Sequence, residues 1–420
     1  MGLESGEMIV SPVLLVAIFA GFYMAVNIGA NDVANSMGTS VASGALTLRK
    51  AVVVAGLCNF VGAVLLGVYV TDTIRKGIIN PAYFAPNPNL LIYGMIAVLL
   101  GAGGWVSIAT YLRLPVSTTH SIVGALIGFG LLGAGIQGIQ WKVVGAIILS
   151  WFISPIGGAG ISYLLFTIIK RKILDSPSPL AAAKRVGPFF VGLVLFVIGL
   201  AVVYGVSKRL LGNPHFSYVL GIAGAIAIIG GLASYIFLGR YALGENDEYE
   251  EMEELSKPLQ VLSASYVALA NGANDVANSI GPIAAILTVM ETQKVTMQVP
   301  VPIWVFGLGG IGLVIGISTW GYRVMETIGR KITEVTPTRG FAAEFGAATA
   351  VIVCSRLGMP VSTTHASVGS VIGVGMARGI GAINLRVVGR IGISWLVTLP
   401  VSAGFTIVIY KVLSALLPQL

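Results

Sequence analysis

One eight-residue string constrains this chain more than any other feature. Gly-Ala-Asn-Asp-Val-Ala-Asn-Ser runs from Gly29 to Ser36 and returns unchanged from Gly272 to Ser279. Each copy ends a long apolar run and sets a carboxylate (Asp32, Asp275) and two amides (Asn31 and Asn35; Asn274 and Asn278) where hydrocarbon is expected. Ionisable and amide groups at membrane depth are costly, and they mark ion or substrate paths. A costly group made twice points to a site built from two halves.

The surroundings of the strings are those of a membrane protein. Of 420 residues 56% are hydrophobic and only 10% charged, against about 25% charged in soluble domains. The mean hydropathy of +0.91 agrees. Apolar runs of roughly 20 residues are needed to cross hydrocarbon about 30 Å thick. The sequence predicts them near 8–28, 50–70, 90–111, 141–169, 187–207, 216–239, 259–280, 301–321, 341–357 and 385–411. Shorter apolar pieces near 33–46, 116–132, 278–290 and 360–377 are expected to be half-helices or re-entrant hairpins, which survive at membrane depth only inside protein or beside water. The 55 glycines suit close helix approach. The apolar stretches are continuous rather than alternating, which argues against a β-barrel. Glu4 and Glu7, with no Lys or Arg ahead of the first apolar run, argue against a secretory signal in residues 1–26. Cys58 and Cys354 lie in apolar runs and suggest neither a disulfide nor a metal site.

Two segments are strongly charged. Lys170-Arg171-Lys172 with Lys184-Arg185 forms the densest basic loop and is expected on the cytoplasmic side. The run 245–254 carries seven of the seventeen acidic residues and, two spans later, is expected on the same side. It is either a solvated linker between two halves or a regulatory ion or partner site. Outside such segments, Asp32, Asp275 and Glu344 are the carboxylates in apolar context.

Three motifs recur in one order. Asp275 lies 243 residues after Asp32, Pro360-Val-Ser-Thr-Thr-His365 lies 245 after Pro115-Val-Ser-Thr-Thr-His120, and Val387-Val-Gly389 with Ser394-Trp395 lies 244 after Val143-Val-Gly145 with Ser150-Trp151. This is an internal duplication. With the basic loop inside, the two copies start from opposite sides, which gives two inverted-topology repeats with a site near the midplane between them.

The motifs carry complementary chemistry. Near Asp32 and Asp275 the sequence supplies amides and hydroxyls but no Lys or Arg, a ligand set suited to a hard cation such as Na⁺, with a proton as the alternative. Pro115 and Pro360 break the chain before a helix start whose first turn holds Ser117, Thr118 and Thr119, or Ser362, Thr363 and Thr364. First-turn N–H groups, the positive helix end and hydroxyl donors together bind oxyanions without a cationic side chain. His120 and His365 lie within a turn of Ser without a nucleophile elbow, so a hydrogen-bonded core His or a coupling His is expected rather than a catalytic one. Glu344 stands in an apolar run with no carboxylate at the corresponding place of the first half, taken near Asn59 or Val61. It either bridges to Arg339 or Arg356 or belongs to the transport path of one half. No GxxxxGK[ST] string is present, which excludes a single-chain ATP-driven pump of that type.

Together with Thr71-Asp-Thr-Ile-Arg-Lys-Gly-Ile78, the paired GANDVANS and PVSTTH strings resemble the inorganic phosphate transporter (PiT) family of Na⁺- or H⁺-coupled phosphate symporters, over essentially the whole chain. The resemblance implies an all-α polytopic fold of about 12 transmembrane segments, two inverted repeats, a homodimer and no enzymatic activity. It implies a first repeat at 1–172, connecting helices at 173–258 and a second repeat at 259–420. Na⁺ is expected at Asn31, Asp32, Asn274 and Asp275. Phosphate is expected at Asn35, Ser117, Thr118, Thr119, Asn278, Ser362, Thr363 and Thr364. Coupling roles would fall to Glu344, His120 or His365. Family members often carry a membrane Glu in each half; here Glu344 matches the second and Asn59 stands at the first position. The short central basic loop resembles prokaryotic members, which places the chain in the cell inner (plasma) membrane as a multi-pass importer of phosphate. A proton-coupled symporter, a sulfate permease of the same fold and a passive channel are the alternatives.

Overall fold

The structure, a computed structural model, describes residues 12–68, 70–71, 74, 77–212, 214–240, 247–295, 301–325 and 332–416. Residues 1–26 are therefore described only from Pro12 onward, Asp72, Thr73, Arg75 and Lys76 of the 71–78 motif lie outside the described residues, and so do Glu245 and Asn246 of the acidic run.

Twelve α-helices carry the described chain: α1 (Pro12–Ala42), α2 (Leu48–Leu66), α3 (Pro88–Tyr111), α4 (Thr118–Ala134), α5 (Trp141–Ile169), α6 (Pro179–Leu211), α7 (Phe216–Gly239), α8 (Glu248–Thr292), α9 (Ile303–Thr319), α10 (Pro337–Arg356), α11 (Thr363–Arg378) and α12 (Leu385–Leu416). The only strand-like pairing among the described residues is an isolated bridge between Ile79 and Ile139. Among the described residues, seven segments are long and apolar enough to cross a membrane, beginning at Pro12, Leu48, Pro88, Trp141, Pro179, Phe216 and Leu385. The chain is membrane-embedded.

Several expectations need correction. The pieces at 33–46 and 278–290 are not separate half-helices: α1 and α8 run unbroken through both GANDVANS strings. The reason is local. Asn and Asp break helices when their side chains bond nearby backbone, but Asn31 bonds Thr110, the Leu114 carbonyl and the Val116 N–H, all on other segments. The acidic run is not a loop within the described residues either. Residues 248–254 form the first turns of α8, where carboxylates favour the positive helix end. Glu248 accepts from the Ser178 hydroxyl and the Leu180 N–H at the start of α6. Glu253 accepts from the Thr338 N–H (2.9 Å) and hydroxyl (2.8 Å) at the start of α10. Two carboxylates thus cap two other helices from outside. Lys170–Leu174 likewise continues α5 as a π-helical turn rather than a loop.

The duplication is visible in packing. Gly29 meets the Leu313 carbonyl so closely that a Cβ would sit 2.1 Å from it, and Gly316 of α9 meets Val26 in the same way at 1.8 Å. In the second copy Gly272 meets Asn59 at 2.1 Å and Gly62 meets Leu269 at 2.1 Å. The α1–α9 crossing is therefore repeated as α8–α2. Glycine is required at these positions because backbone rests on backbone. Across the interface between copies, Gly21 lies against Ile283, Asn271 bonds the Asp32 carbonyl and Ser43 bonds Gln260. Contacts descend α8 as they ascend α1, so the two helices run antiparallel.

These pairs also correct the first-half counterpart of Glu344, which is not near Asn59 or Val61. Asn59 pairs with Gly272 as Leu313 pairs with Gly29, so its counterpart is Leu313, 254 residues on. Thr110 and Ser355, which bond the equivalent Asn31 and Asn274, are 245 apart. That spacing sets Glu344 opposite Leu99, a fully buried leucine.

Candidate functional site

The two GANDVANS strings and the two PVSTTH helix starts converge in the centre of the bundle. Asp32 is 4% exposed and Asp275 1%, and the eight Asn, Ser and Thr residues expected to bind phosphate are all buried beside them. The Thr118 hydroxyl donates to Asp32 Oδ2 at 2.7 Å, and the Thr363 hydroxyl donates to Asp275 Oδ2 at 3.1 Å. Each carboxylate thus faces the first turn of a PVSTTH helix from its own copy. The copies interlock as well. Asn35 donates to Thr364 (3.0 Å) and Thr363 (3.3 Å), and Asn278 donates to Thr119 (3.3 Å). Thr119 donates to the Val361 carbonyl and Thr364 to the Val116 carbonyl, a reciprocal exchange.

Within each PVSTTH start the hydroxyls divide the work. Ser117 and Ser362 are N-caps: each accepts the N–H three residues on, from His120 and His365, at 3.1 Å. The serines are therefore turned to their own helices, while Thr118, Thr119, Thr363 and Thr364 face the carboxylates and the opposite copy. First-turn amides of Thr118, Thr119, Thr363 and Thr364 point out of the helix by helix geometry.

The site is negative and lacks protein cations. Among the described residues neither Asp32 nor Asp275 has a Lys or Arg ion pair. Burying two carboxylates without a counter-charge costs several kcal/mol each. Moreover, the Oδ1 atoms of Asn35 and Asn278 are buried without a hydrogen-bond partner among the described residues. Two orphaned amide oxygens beside two uncompensated carboxylates are the donor set of a hard cation. The identical strings are not used identically, however. Asp32 Oδ1 is bonded by Asn35 (3.2 Å), whereas Asp275 Oδ1 is bonded by its neighbour Asn274 (2.8 Å). Asn31 is engaged in holding the end of α3 and the linker on either side of Pro115. Asn271, which the sequence did not single out, donates to the Asp32 carbonyl and keeps a buried Oδ1 with no partner among the described residues; Ile28 stands at its first-copy position.

His120 and His365 lie one turn behind the threonines in a four-ring stack. The His120 ring lies 3.6 Å from the Trp151 ring, His365 lies 3.6 Å from Trp395, and the two imidazoles meet edge-on at 4.5 Å. His120 Nδ1 pairs with the Trp395 carbonyl and His365 Nδ1 with the Trp151 carbonyl. Among the described residues neither ring bonds a serine hydroxyl, so neither is set to activate one as a nucleophile.

Glu344 does not bridge to an arginine. Its carboxylate, 2% exposed, accepts from Thr39 (2.6 Å), Ser40 (2.7 Å), Gln260 (3.2 Å) and Ser263 (2.5 Å). Arg339 instead pairs with Glu334, and Arg356 donates to the Ala201 carbonyl. The corresponding positions in the opposite copies, Pro282 and Ile283 for Thr39 and Ser40 and Ala17, Ala20 and Leu99 for Gln260, Ser263 and Glu344, are all buried and apolar or Pro. One flank of the central cluster is polar and its mirror flank is closed with hydrocarbon.

An antiparallel pair of helices with buried carboxylates, flanked by two oxyanion-type helix starts in a membrane bundle, defines a transporter of a small charged solute. The chain belongs to the Phosphate transporter family, which it matches over residues 28–406. It is 47% identical over 402 residues to a Pyrococcus abyssi protein named "Putative phosphate permease", covering 96% of this chain and 98% of that one. It is 42% identical over 417 residues to "Inorganic phosphate transporter 2-1, chloroplastic" of Arabidopsis thaliana, covering 92% of this chain and 70% of that one. A solved structure described as "The sodium-dependent phosphate transporter" superposes with a TM-score of 0.90 at 40% identity, covering 96% of this chain and all of that one. The family consists of transporters, not enzymes.

Proposed function

We propose that this protein imports inorganic phosphate by Na⁺ symport, binding both solutes between two inverted repeats. One observation carries the proposal: two buried carboxylates without a protein cation lie within hydrogen-bond reach of two helix starts rich in hydroxyls and free amides. Na⁺ is taken by Asp32 and Asp275 with amide oxygens of the motifs, Asn35 and Asn278 offering the orphaned atoms. Phosphate is taken by Thr118, Thr119, Thr363 and Thr364 and their first-turn amides. The antiparallel run of α1 against α8 supports the inverted arrangement. The sodium dependence of the structural neighbour supports the choice of ion.

The two solutes need each other. Cations neutralise the carboxylates, and phosphate then meets a site that is no longer anionic. Moving each negative charge inward against an inside-negative potential costs about 2.3 kcal/mol per 100 mV, which cotransported Na⁺ offsets. Glu344, with four hydroxyl and amide donors around it and a polar flank leading to Asp32, supplies a further place for a coupling cation. His120 and His365 hold the two helix starts in register. The working unit is a homodimer in the cell inner membrane, with repeats at 1–172 and 259–420 and connecting helices at 173–258.

Labelled phosphate uptake into proteoliposomes, with Na⁺ and proton gradients imposed separately, tests this. Uptake should follow the Na⁺ gradient, fall to background in Asp32→Asn and Asp275→Asn, and resist unlabelled sulfate. Uptake driven by the proton gradient alone would assign the coupling to H⁺, and displacement by sulfate would assign the site to a broader oxyanion class.

A further inference from the structure

Away from the central site, a cavity of about 490 Å³ opens on the outer face of the bundle where α6, α7 and α10 meet. Its size falls in the range of about 300–1,000 Å³ typical of small-molecule sites. The walls are apolar, formed by Val197 and Leu200 of α6, Val219 of α7 and Ile352 of α10. Phe216, Val353 and Leu357 stand at its mouth, 66%, 54% and 70% exposed. The α7 wall belongs to the least covered of the seven apolar spans, with only 11% of its window buried inside the protein. The cavity therefore opens into lipid.

One end of it is charged. Arg356 Nη2 donates to the Ala201 carbonyl at 2.7 Å, and the guanidinium lies 4.5 Å over the Tyr204 ring. The bond fixes one edge of the group and the ring fixes its face. Arg356 ends α10 and lines the cavity together with Phe216 of α7, one of the seven apolar spans. Phe216 begins α7, and Lys208 is exposed in the last turn of α6, so the ends of three helices bring this part of the cavity to headgroup level.

We propose that this cavity holds one acyl chain of an anionic phospholipid, with the lipid phosphate paired to Arg356. Hydrocarbon walls and a fixed cation at the boundary match the two parts of such a lipid, as basic pockets between transmembrane helices do elsewhere. A free phosphate ion meets only one of the two features and leaves the walls bare. The position gives the lipid a lever on transport. Arg356 lies four residues before Pro360, and the short segment between them leads directly into the helix start that carries Thr363 and Thr364. Lipid bound at Arg356 steadies that start.

The test is native mass spectrometry of the full-length protein in detergent with phosphatidylglycerol or phosphatidylcholine. The parent should retain phosphatidylglycerol about fivefold better, the ratio that about 1 kcal/mol per basic residue at an anionic surface implies. Arg356→Gln should remove the preference, and Leu200→Trp, which fills the cavity, should lower retention of both lipids. Equal retention of the two lipids by the parent, an unchanged preference in Arg356→Gln, or displacement by millimolar inorganic phosphate would overturn the proposal. So would a change in dimer population in Leu200→Trp without lipid loss, since it would assign the face to a second copy of the chain.

Discussion

The close backbone approaches at the α1–α9 and α8–α2 crossings make a quantitative prediction about the motif glycines. Replace Gly29 by alanine. The new Cβ would lie 2.1 Å from the Leu313 carbonyl oxygen and 2.8 Å from its Cα. Real Cβ contacts are essentially never shorter than 3.0 Å, so α1 and α9 must part by about 0.9 Å at the crossing. The obstacle is backbone, which cannot rotate away as a side chain would. Overpacking of this kind costs about 1–3 kcal/mol, and the upper end applies when a whole helix must move. Alanine returns up to about 1 kcal/mol of helix propensity, leaving a net loss of about 1–2 kcal/mol. Gly272→Ala, 2.1 Å from the Asn59 carbonyl, should lose the same amount. The functional loss should be larger than the loss of stability. Gly29 and Gly272 lie three residues before Asp32 and Asp275, and a misplacement of about 1 Å in a site can reduce rates a hundredfold. The control is Gly145→Ala on the exposed face of α5, where nothing lies within 4 Å of the added carbon. Fluorescence-detected thermal unfolding should show both motif variants melting several degrees below the parent, with Gly145→Ala at or above it, and uptake should be near background in the motif variants alone. If Gly29→Ala melts with Gly145→Ala and transports normally, the helix contact is looser than described and the reasoning fails.

Other perturbations separate the roles assigned above. Glu344→Gln keeps the size of the side chain and most of its bonds to Thr39, Ser40, Gln260 and Ser263, so the protein should fold and melt near the parent, while the Na⁺ dependence of uptake becomes less steep; an unchanged sodium-activation curve would remove Glu344 from coupling. Leu99→Glu places a carboxylate at the mirror position among apolar neighbours and should cost at least 3 kcal/mol, seen as loss of monodisperse protein on gel filtration; a well-folded product would contradict the asymmetry of the two flanks. Glu253→Ala removes the external cap on Thr338 and should cost about 1 kcal/mol in thermal stability with phosphate affinity intact; an unchanged melt would show that the cap is idle. His365→Phe keeps the stack on Trp395 and loses the bond to the Trp151 carbonyl, so uptake should persist with an unaltered pH profile; abolished uptake in a folded protein would make His365 a coupling residue.

Much of this fold was legible because hydrocarbon imposes length. The runs expected at 90–111, 141–169 and 216–239 agree with α3, α5 and α7 to within two residues at each end. What was not legible depended on partners distant in sequence. Asn31 and Asp32 look like helix breakers when only their neighbours are considered. Thr110, Leu114 and Thr118, some eighty residues on, take up their side chains and leave α1 intact. The acidic run looked like a solvated linker because Ser178, Leu180 and Thr338, the groups it caps, lie about seventy and eighty-five residues away. Glu344 looked like a partner for Arg339 or Arg356 because those are the cations near it in sequence, whereas its actual donors come from α1 and α8.

The duplication itself was legible, but its register was not constant, and the difference matters for function. Motif offsets of 243 to 245 suggest a rigid copy, yet the second helices are 254 apart, so the second copy gained residues before α9 and lost nearly as many after it. Once the copies are aligned by contacts, their identical strings have unlike settings. On one flank Thr39, Ser40, Gln260 and Ser263 surround a carboxylate; on the other, Ala17, Ala20, Leu99, Pro282 and Ile283 surround none. A cation at the proposed Asp32 site would, on moving toward Glu344, exchange one set of oxygen ligands for another. In the mirror direction the same cation would meet hydrocarbon and shed its ligands at a cost of several kcal/mol. Two identical strings thus stand in unlike settings, one flank polar and the other closed with hydrocarbon, and the difference lies in the residues around GANDVANS rather than in the string itself.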